Sequence, residues 1–313
     1  MSTSTPNAAA PVDEKRDRIV RSAMSPTARA AANAKKKVTS RTASVIAVAL
    51  AVLWTLPTFG LLVSSFRPEL AIKTTGWWTF FSNPQLTLDN YTGALNASGG
   101  GGLSTAFINS VVITIPAVAI PLCLASLAAY AFAWIDFKGK NFLFILVFSL
   151  QIVPLQVTLL PLLTLFVKVH LAGTFWTIWL SHSTFALPLA IFILHNFMKE
   201  IPRELIEAAR MDGAGHVKIF FRVLLPLLKP ALAAFGIFQF LWVWNDLLVA
   251  LTFAGDSNLQ PVTVALANLS GTRGTAWQLL SAGAFISIIV PVAVFLSLQK
   301  YFVRGLLAGG LKG

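Results

Sequence analysis

The sequence predicts an all-α polytopic membrane protein with six transmembrane helices and both termini in the cytoplasm. Three observations lead there: scarce charge, six long apolar runs, and a one-sided distribution of lysine and arginine. Of the 313 residues 56% are hydrophobic and 12% charged, with a mean hydropathy of +0.73. Soluble domains carry about 25% charged residues. Half that charge, with so much Phe, Leu, Ala and Val, describes a chain that buries itself in lipid.

The apolar runs lie near 43–66, 107–133, 142–167, 172–196, 231–254 and 277–299. Each is long enough for a span of about 20 residues. Pro57, Pro116, Pro121, Pro154, Pro161, Pro188 and Pro291 fall inside them. Membrane helices tolerate proline where neighbours re-satisfy the freed backbone groups. Gln151 and Gln156 in the third run are expected to bond between helices. Cys123, the single cysteine, lies in an apolar run, so no intramolecular disulfide is possible, and a small packed hydrophobe is expected there.

Orientation follows from counting Lys and Arg. With the N-terminus inside, nine fall in the N-terminal tail, two in the loop between spans two and three, six between spans four and five, and three at the C-terminus; four fall outside. The positive-inside rule then places both termini and the 197–230 loop in the cytoplasm. The same distribution explains the net charge of +12 and the pI near 10.2 without nucleic acid. Residues 1–42, rich in Ala, Ser, Thr and basic residues, cannot bury a core and are expected to be a disordered basic tail. The spans and their loops make one transmembrane domain over 43–313. On the outer side, Trp77, Trp78, Phe80 and Phe81 suggest an interfacial belt, a short re-entrant cap or a docking surface, and are followed by a glycine run from Gly99 to Gly102. The apolar island 261–269 is expected to be exposed on that same side.

Several chemistries are excluded. No G-x-x-x-x-G-K-[ST] loop is present to cradle phosphate. The four histidines, His170, His182, His195 and His216, lack metal-ligand spacing, and no nucleophile signature appears, so neither a metal site nor catalytic residues are assigned. Within the spans stands one carboxylate, Asp246. An intramembrane ionisable residue is a functional-site hypothesis by default. On a continuous helix Gln239, Trp242 and Asp246 share a face, with Asn245 beside Trp242. Ring faces beside hydrogen-bonding groups suit a sugar, which makes these four the candidate substrate path. The alternative is structural, with Asp246 capping a kink or bonding a neighbouring helix.

The polar segment from Pro202 to Pro230 reads as helix, glycine turn, helix. Pro202 suits a first helical position, Glu204 and Glu207 the positive end of the helix dipole, and Gly213 a left-handed cap. A second helix is expected from about His216 to near Pro226.

Within it, EAARMDGAGHVKIFFRVLLP (207–226) resembles the EAA motif of the membrane subunits of bacterial ABC importers. The pattern falls on Glu207, Ala208, Ala209, Gly213, Val223, Leu225 and Pro226, with Asp212 inside it and Val223 where Ile is usual. The runs at 153–165, 185–209, 235–253, 260–266 and 300–313 are similar to the carbohydrate permeases of the maltose and α-glucoside type. The resemblance implies a type I importer permease in the bacterial cytoplasmic membrane, with half of a translocation path for maltose, maltodextrin, trehalose or another α-glucoside. It implies a second related permease, two copies of a cytoplasmic ATPase that hold the ATP and Mg, and an extracytoplasmic sugar-binding protein. This chain binds no cofactor itself on that reading. The 197–230 loop would couple it to the ATPase. A stand-alone secondary sugar carrier driven by an ion gradient is the alternative; one membrane acid and no visible repeat speak against it.

Overall fold

The computed structural model describes residues 41–96, 102–269 and 276–310, with Ser25 besides. The tail expected over 1–42 lies outside these residues, apart from Ser25, Arg41 and Thr42; so do positions 99–101 of the glycine run. The chain divides into two units, Met1–Leu61 and Leu62–Gly313. All regular elements among the described residues are helical.

Helix α1 (Arg41–Ser65) begins two residues before the expected boundary and runs unbroken through Pro57. Its side chains are largely exposed, Trp54 among them. Beyond it, α2 (Glu69–Thr74), a 3₁₀ turn (Trp77–Phe81) and α3 (Asp89–Asn96) form the first connection. The aromatics expected to act as a belt or cap form that turn, with Trp77 meeting Trp78 and Phe81 edge to face. Buried Arg67 organises it, donating to the carbonyls of Gly76 and Ala71 and to the hydroxyls of Thr75 and Thr79. On the exposed face Lys73 bonds Glu69, and its ammonium holds that carboxyl below its ordinary value.

The scaffold is α4 (Gly102–Trp134), α7 (Phe175–Lys199) and α10 (Lys229–Trp244), three helices in mutual contact. Ala125 and Ala129 of α4 and Ala186 and Ala190 of α7 are buried in one cluster. Small residues let membrane helices approach closely where lipid supplies no hydrophobic drive between them. Pro116, Pro121 and Pro188 lie within continuous helix, as expected. Cys123 does not pack as expected: it is exposed on α4.

Two of the six expected spans are not single helices. Among the described residues, four helices are each long and apolar enough to cross a membrane, and the number rises to six if each of two bent pairs, 140–152 with 155–168 and 216–227 with 229–244, is one span. The run at 142–167 is split into α5 (Lys140–Ser149, then a 3₁₀ turn Leu150–Ile152) and α6 (Leu155–Lys168), bent by 102°. Proline pushes its predecessor out of the helical region; Val153 before Pro154 is extended, with ψ 120°. Gln151 and Gln156 flank this break and are exposed, so the expected helix-to-helix bonds are not made within the described chain. The run at 231–254 is also interrupted. α10 stops at Trp244, and after Asn245–Leu247 the shorter α11 (Leu248–Phe253) takes over.

The island at 261–269 corrects another expectation. It forms α12 (Val262–Leu269), whose Val262 and Val264 are buried rather than exposed. Asn109 of α4 donates to the carbonyls of Asn258 and Gln260, and the Val262 amide donates to Ser110 Oγ, so the segment folds back over α4. The last helix, α13 (Trp277–Gly310), extends past the expected 299. Its Gly283 admits α12: an added Cβ would stand 2.6 Å from Leu266.

Candidate functional site

The segment between α7 and α10 folds as a helix, a glycine turn and a second helix, as the sequence predicts. α8 (Arg203–Met211) starts one residue later than expected, with Pro202 at the N-cap in an extended conformation. Its one buried side chain is Ile206. Gly213 carries φ 74° and ends the helix. The Ala214 amide bonds the Ala209 carbonyl at 2.9 Å and the Gly213 amide bonds that of Arg210 at 2.9 Å, the paired bonds of a Schellman cap.

The second helix, α9 (His216–Leu227), contains a π turn at Phe220–Leu224 and meets α10 at a 71° bend at Leu228. Ile219, Phe220 and Leu224 are buried in the cluster that also holds Ala125, Ala129, Tyr130 and Met198. The motif residues therefore divide. Ala209, Val223 and Leu225 are half-buried against this cluster. Glu207, Ala208, Asp212, Gly213 and Pro226 are exposed. Around the exposed set stand Leu205, Met211, Val217 and Phe221, with Met211 84% exposed. Large apolar side chains thus stand exposed among charged ones on this segment.

One residue of this region was not singled out from the sequence. Tyr130, buried near the end of α4, places its hydroxyl 2.7 Å from His216 Nδ1 and its ring edge-on to Phe220. The partners are 86 residues apart, and nothing in the local pattern announces the pair.

The expected stripe on a continuous fifth span is not assembled, because the helix ends before Asp246. Gln239 is fully buried and donates to the Ala117 carbonyl of α4 at 3.2 Å. It stands between helices, and its Oε1 is buried without a hydrogen-bond partner. Trp242 is half-buried; Asn245 is exposed and donates to the Leu241 carbonyl at 2.7 Å. Asp246 accepts from the amides of Val249 and Ala250, at 3.3 and 3.0 Å, and so caps α11. Its own carbonyl accepts from Thr263 Oγ1 at 2.6 Å. His182 of α7, which the sequence reading set aside with the other histidines, completes the group. It is buried, edge-on to Trp242 at 5.6 Å, with Nε2 3.7 Å from Asp246 Oδ2. No group of three His, Cys, Asp or Glu side chains stands close enough to hold a metal ion among the described residues.

Comparison with known proteins bears on this geometry directly. Residues 121–307 match the family described as "Binding-protein-dependent transport system inner membrane component". The chain is 53% identical over 268 residues to the osmoprotective compounds uptake permease protein GgtD of Synechocystis sp., covering 84% of this chain and 89% of that protein. It is 48% identical over 259 residues to the alpha-glucoside transport system permease protein AglG of Rhizobium meliloti, covering 80% and 67%. A solved bacterial ABC transporter involved in importing the acidic polysaccharide alginate superposes with a TM-score of 0.65 at 20% identity, over 84% of this chain and 98% of that one. That last likeness is one of fold.

Proposed function

The chain belongs to the family of binding-protein-dependent transport system inner membrane components, and from that premise we propose that it couples ATP hydrolysis on a partner to carbohydrate passage through the membrane. It is a multi-pass membrane protein and an ABC importer permease, a transport component without an ATPase site of its own. One observation carries the coupling assignment. The EAA segment projects Glu207, Ala208, Asp212 and Gly213 outward while its apolar residues root it in the bundle.

In this reading the exposed face of α8 and the turn at Gly213 dock on a cytoplasmic ATPase, two copies of which hold ATP and Mg. The basic bias of the 197–230 loop supports placing it, and both termini, in the cytoplasm. Nucleotide binding closes the ATPase pair, the loop moves as a lever, and the spans of 43–313 and of a second related permease open to the outer side. An extracytoplasmic binding protein delivers the sugar there, and hydrolysis restores the inward-facing state. The α-glucoside permease at 48% identity favours an α-glucoside such as maltose, maltodextrin or trehalose as cargo. Of the four path candidates Trp242 and Asn245 keep accessible surface for it; Gln239 and Asp246 serve structure.

The test is purification of the tagged chain from its own cells, followed by reconstitution. An ATPase and a second permease should co-purify, and uptake of maltose or trehalose into vesicles should require ATP inside the ATPase compartment. Uptake that follows a proton or sodium gradient, with no dependence on ATP, overturns the proposal.

A further inference from the structure

We infer that Tyr130 is a positioning residue for coupling, pinning the second helix of the loop to α4 through its hydrogen bond with His216. The inference rests on the coupling role proposed above and names the span that receives the motion.

The loop is joined to the bundle by two kinds of contact. Ile206, Ile219, Phe220 and Leu224 are buried among apolar neighbours. Apolar burial is non-directional, so these side chains hold the loop down without fixing its position along α4. The Tyr130–His216 bond, at 2.7 Å, is directional and short. Such a bond is lost once the atoms separate beyond about 3.5 Å. It therefore fixes where the start of α9 sits against α4. Tyr130 is 6% exposed while His216 is exposed, so the bond is shielded from water on the Tyr130 side. The π turn begins at Phe220, directly after buried Ile219, and Phe220 stands 5.4 Å from the Tyr130 ring. π turns recur at functional sites because they re-aim side chains within a helix. Tyr130 lies one turn from the end of α4, and α4 packs along both α7 and α10. A displacement delivered at His216 thus reaches three helices through one contact.

Neutral hydrogen bonds contribute enough to shift a coupled equilibrium by about two- to tenfold. The experiment uses the assembled complex in vesicles, with maltose and trehalose as probes, and reads sugar moved per ATP hydrolysed. Tyr130→Phe keeps the ring and its packing; His216→Ala removes the other partner. Each should lower the ratio by about two- to tenfold, with the double variant no worse than the singles. His216→Asn, whose side-chain oxygen occupies the place of Nδ1, should restore the ratio, whereas His216→Gln, which mimics Nε2, should not. A wild-type ratio in Tyr130→Phe, or additive losses in the double variant, overturns the inference. If Glu207→Ala abolishes ATP-driven uptake while Tyr130→Phe is silent, only the pin has failed. If uptake in all variants is indifferent to ATP, the coupling reading itself has failed.

Discussion

Asp246 Oδ2 stands 3.7 Å from His182 Nε2, beside the break where α10 gives way to α11. The carboxylate faces two ways, toward an imidazole on another span and toward the free amides that open α11. A carboxylate at a helix start satisfies donors that lipid cannot. The break thus owes its stability to the same residue that the sequence marks as the one acid within a span.

Two substitutions separate the capping role from a sugar contact. Asparagine caps about as well as aspartate, and loss of a cap costs about 1 kcal/mol. Asp246→Asn is expected to keep sugar preference and most of the uptake rate, while Asp246→Ala lowers the thermal stability of the purified complex by about that amount. A changed sugar preference in Asp246→Asn would instead return the residue to the substrate path.

The glycine that ends α8 is predicted to be required for its backbone, not for space. Gly213 has φ 74°, and nothing lies within 4 Å of a Cβ built there. An L-residue other than Asn or Asp pays about 1–2 kcal/mol in the left-handed region. Gly213→Asn should therefore retain most ATP-driven uptake, and Gly213→Val should lose most of it with membrane levels of the protein little changed. Equal uptake in the two variants would show that the turn can adopt another geometry without loss.

Glu207 and Ile206 are neighbours with opposite expected signatures. Ile206 is 2% exposed and anchors α8, whereas Glu207 is exposed. Truncating a buried Ile to Ala costs about 2–5 kcal/mol, and surface changes stay within about 0.5 kcal/mol. Ile206→Ala should open the loop to limited proteolysis in the isolated chain. Glu207→Ala should leave the proteolysis pattern unchanged and still reduce ATP-driven uptake, because its effect requires the partner.

These contrasts show which parts of the molecule were legible in the sequence. The helix–turn–helix of 202–230 was, because its determinants are local: an N-terminal proline, an acid in the first turn, and a glycine at the cap. The six apolar runs were legible, but their continuity was not. Pro116, Pro121 and Pro188 sit inside unbroken helices while Pro154 marks a 102° bend, and the residues beside each proline do not tell them apart. The Asn245–Asp246 pair carried a usable signal, since both residue types favour caps and turns over helix interiors; the helical stripe was drawn across it. His182 and Tyr130 could not be found by periodicity, because their partners lie 64 and 86 residues away. The buried faces of α12 depended likewise on Asn109 and Ser110, distant in sequence.

Arg67 offers a last test, in the connection that follows α1. The residue is 4% exposed, and its guanidinium divides its donors among the Gly76 carbonyl at 3.0 Å, the Ala71 carbonyl at 3.3 Å, Thr75 Oγ1 at 2.7 Å and Thr79 Oγ1 at 2.9 Å. The Ala71 carbonyl belongs to the end of α2, where a cation is favoured by the helix dipole. A planar fork can serve acceptors spread around it; an ammonium, with three donors on one atom, cannot reach both Gly76 and Thr79 in the same way. Arg67→Lys should therefore behave as a disruptive change despite keeping its charge. Losing several hydrogen bonds to a charged donor costs about 1.5–3 kcal/mol each, less where the acceptor is exposed, so the connection 67–96 should become susceptible to protease added from the outer side of vesicles. Thr75→Val and Thr79→Val, each removing one acceptor, should produce smaller shifts in the same direction. Wild-type resistance in Arg67→Lys would mean that the connection is held by Asn90, which bonds the carbonyls of Ser65 and Arg67, without help from the guanidinium.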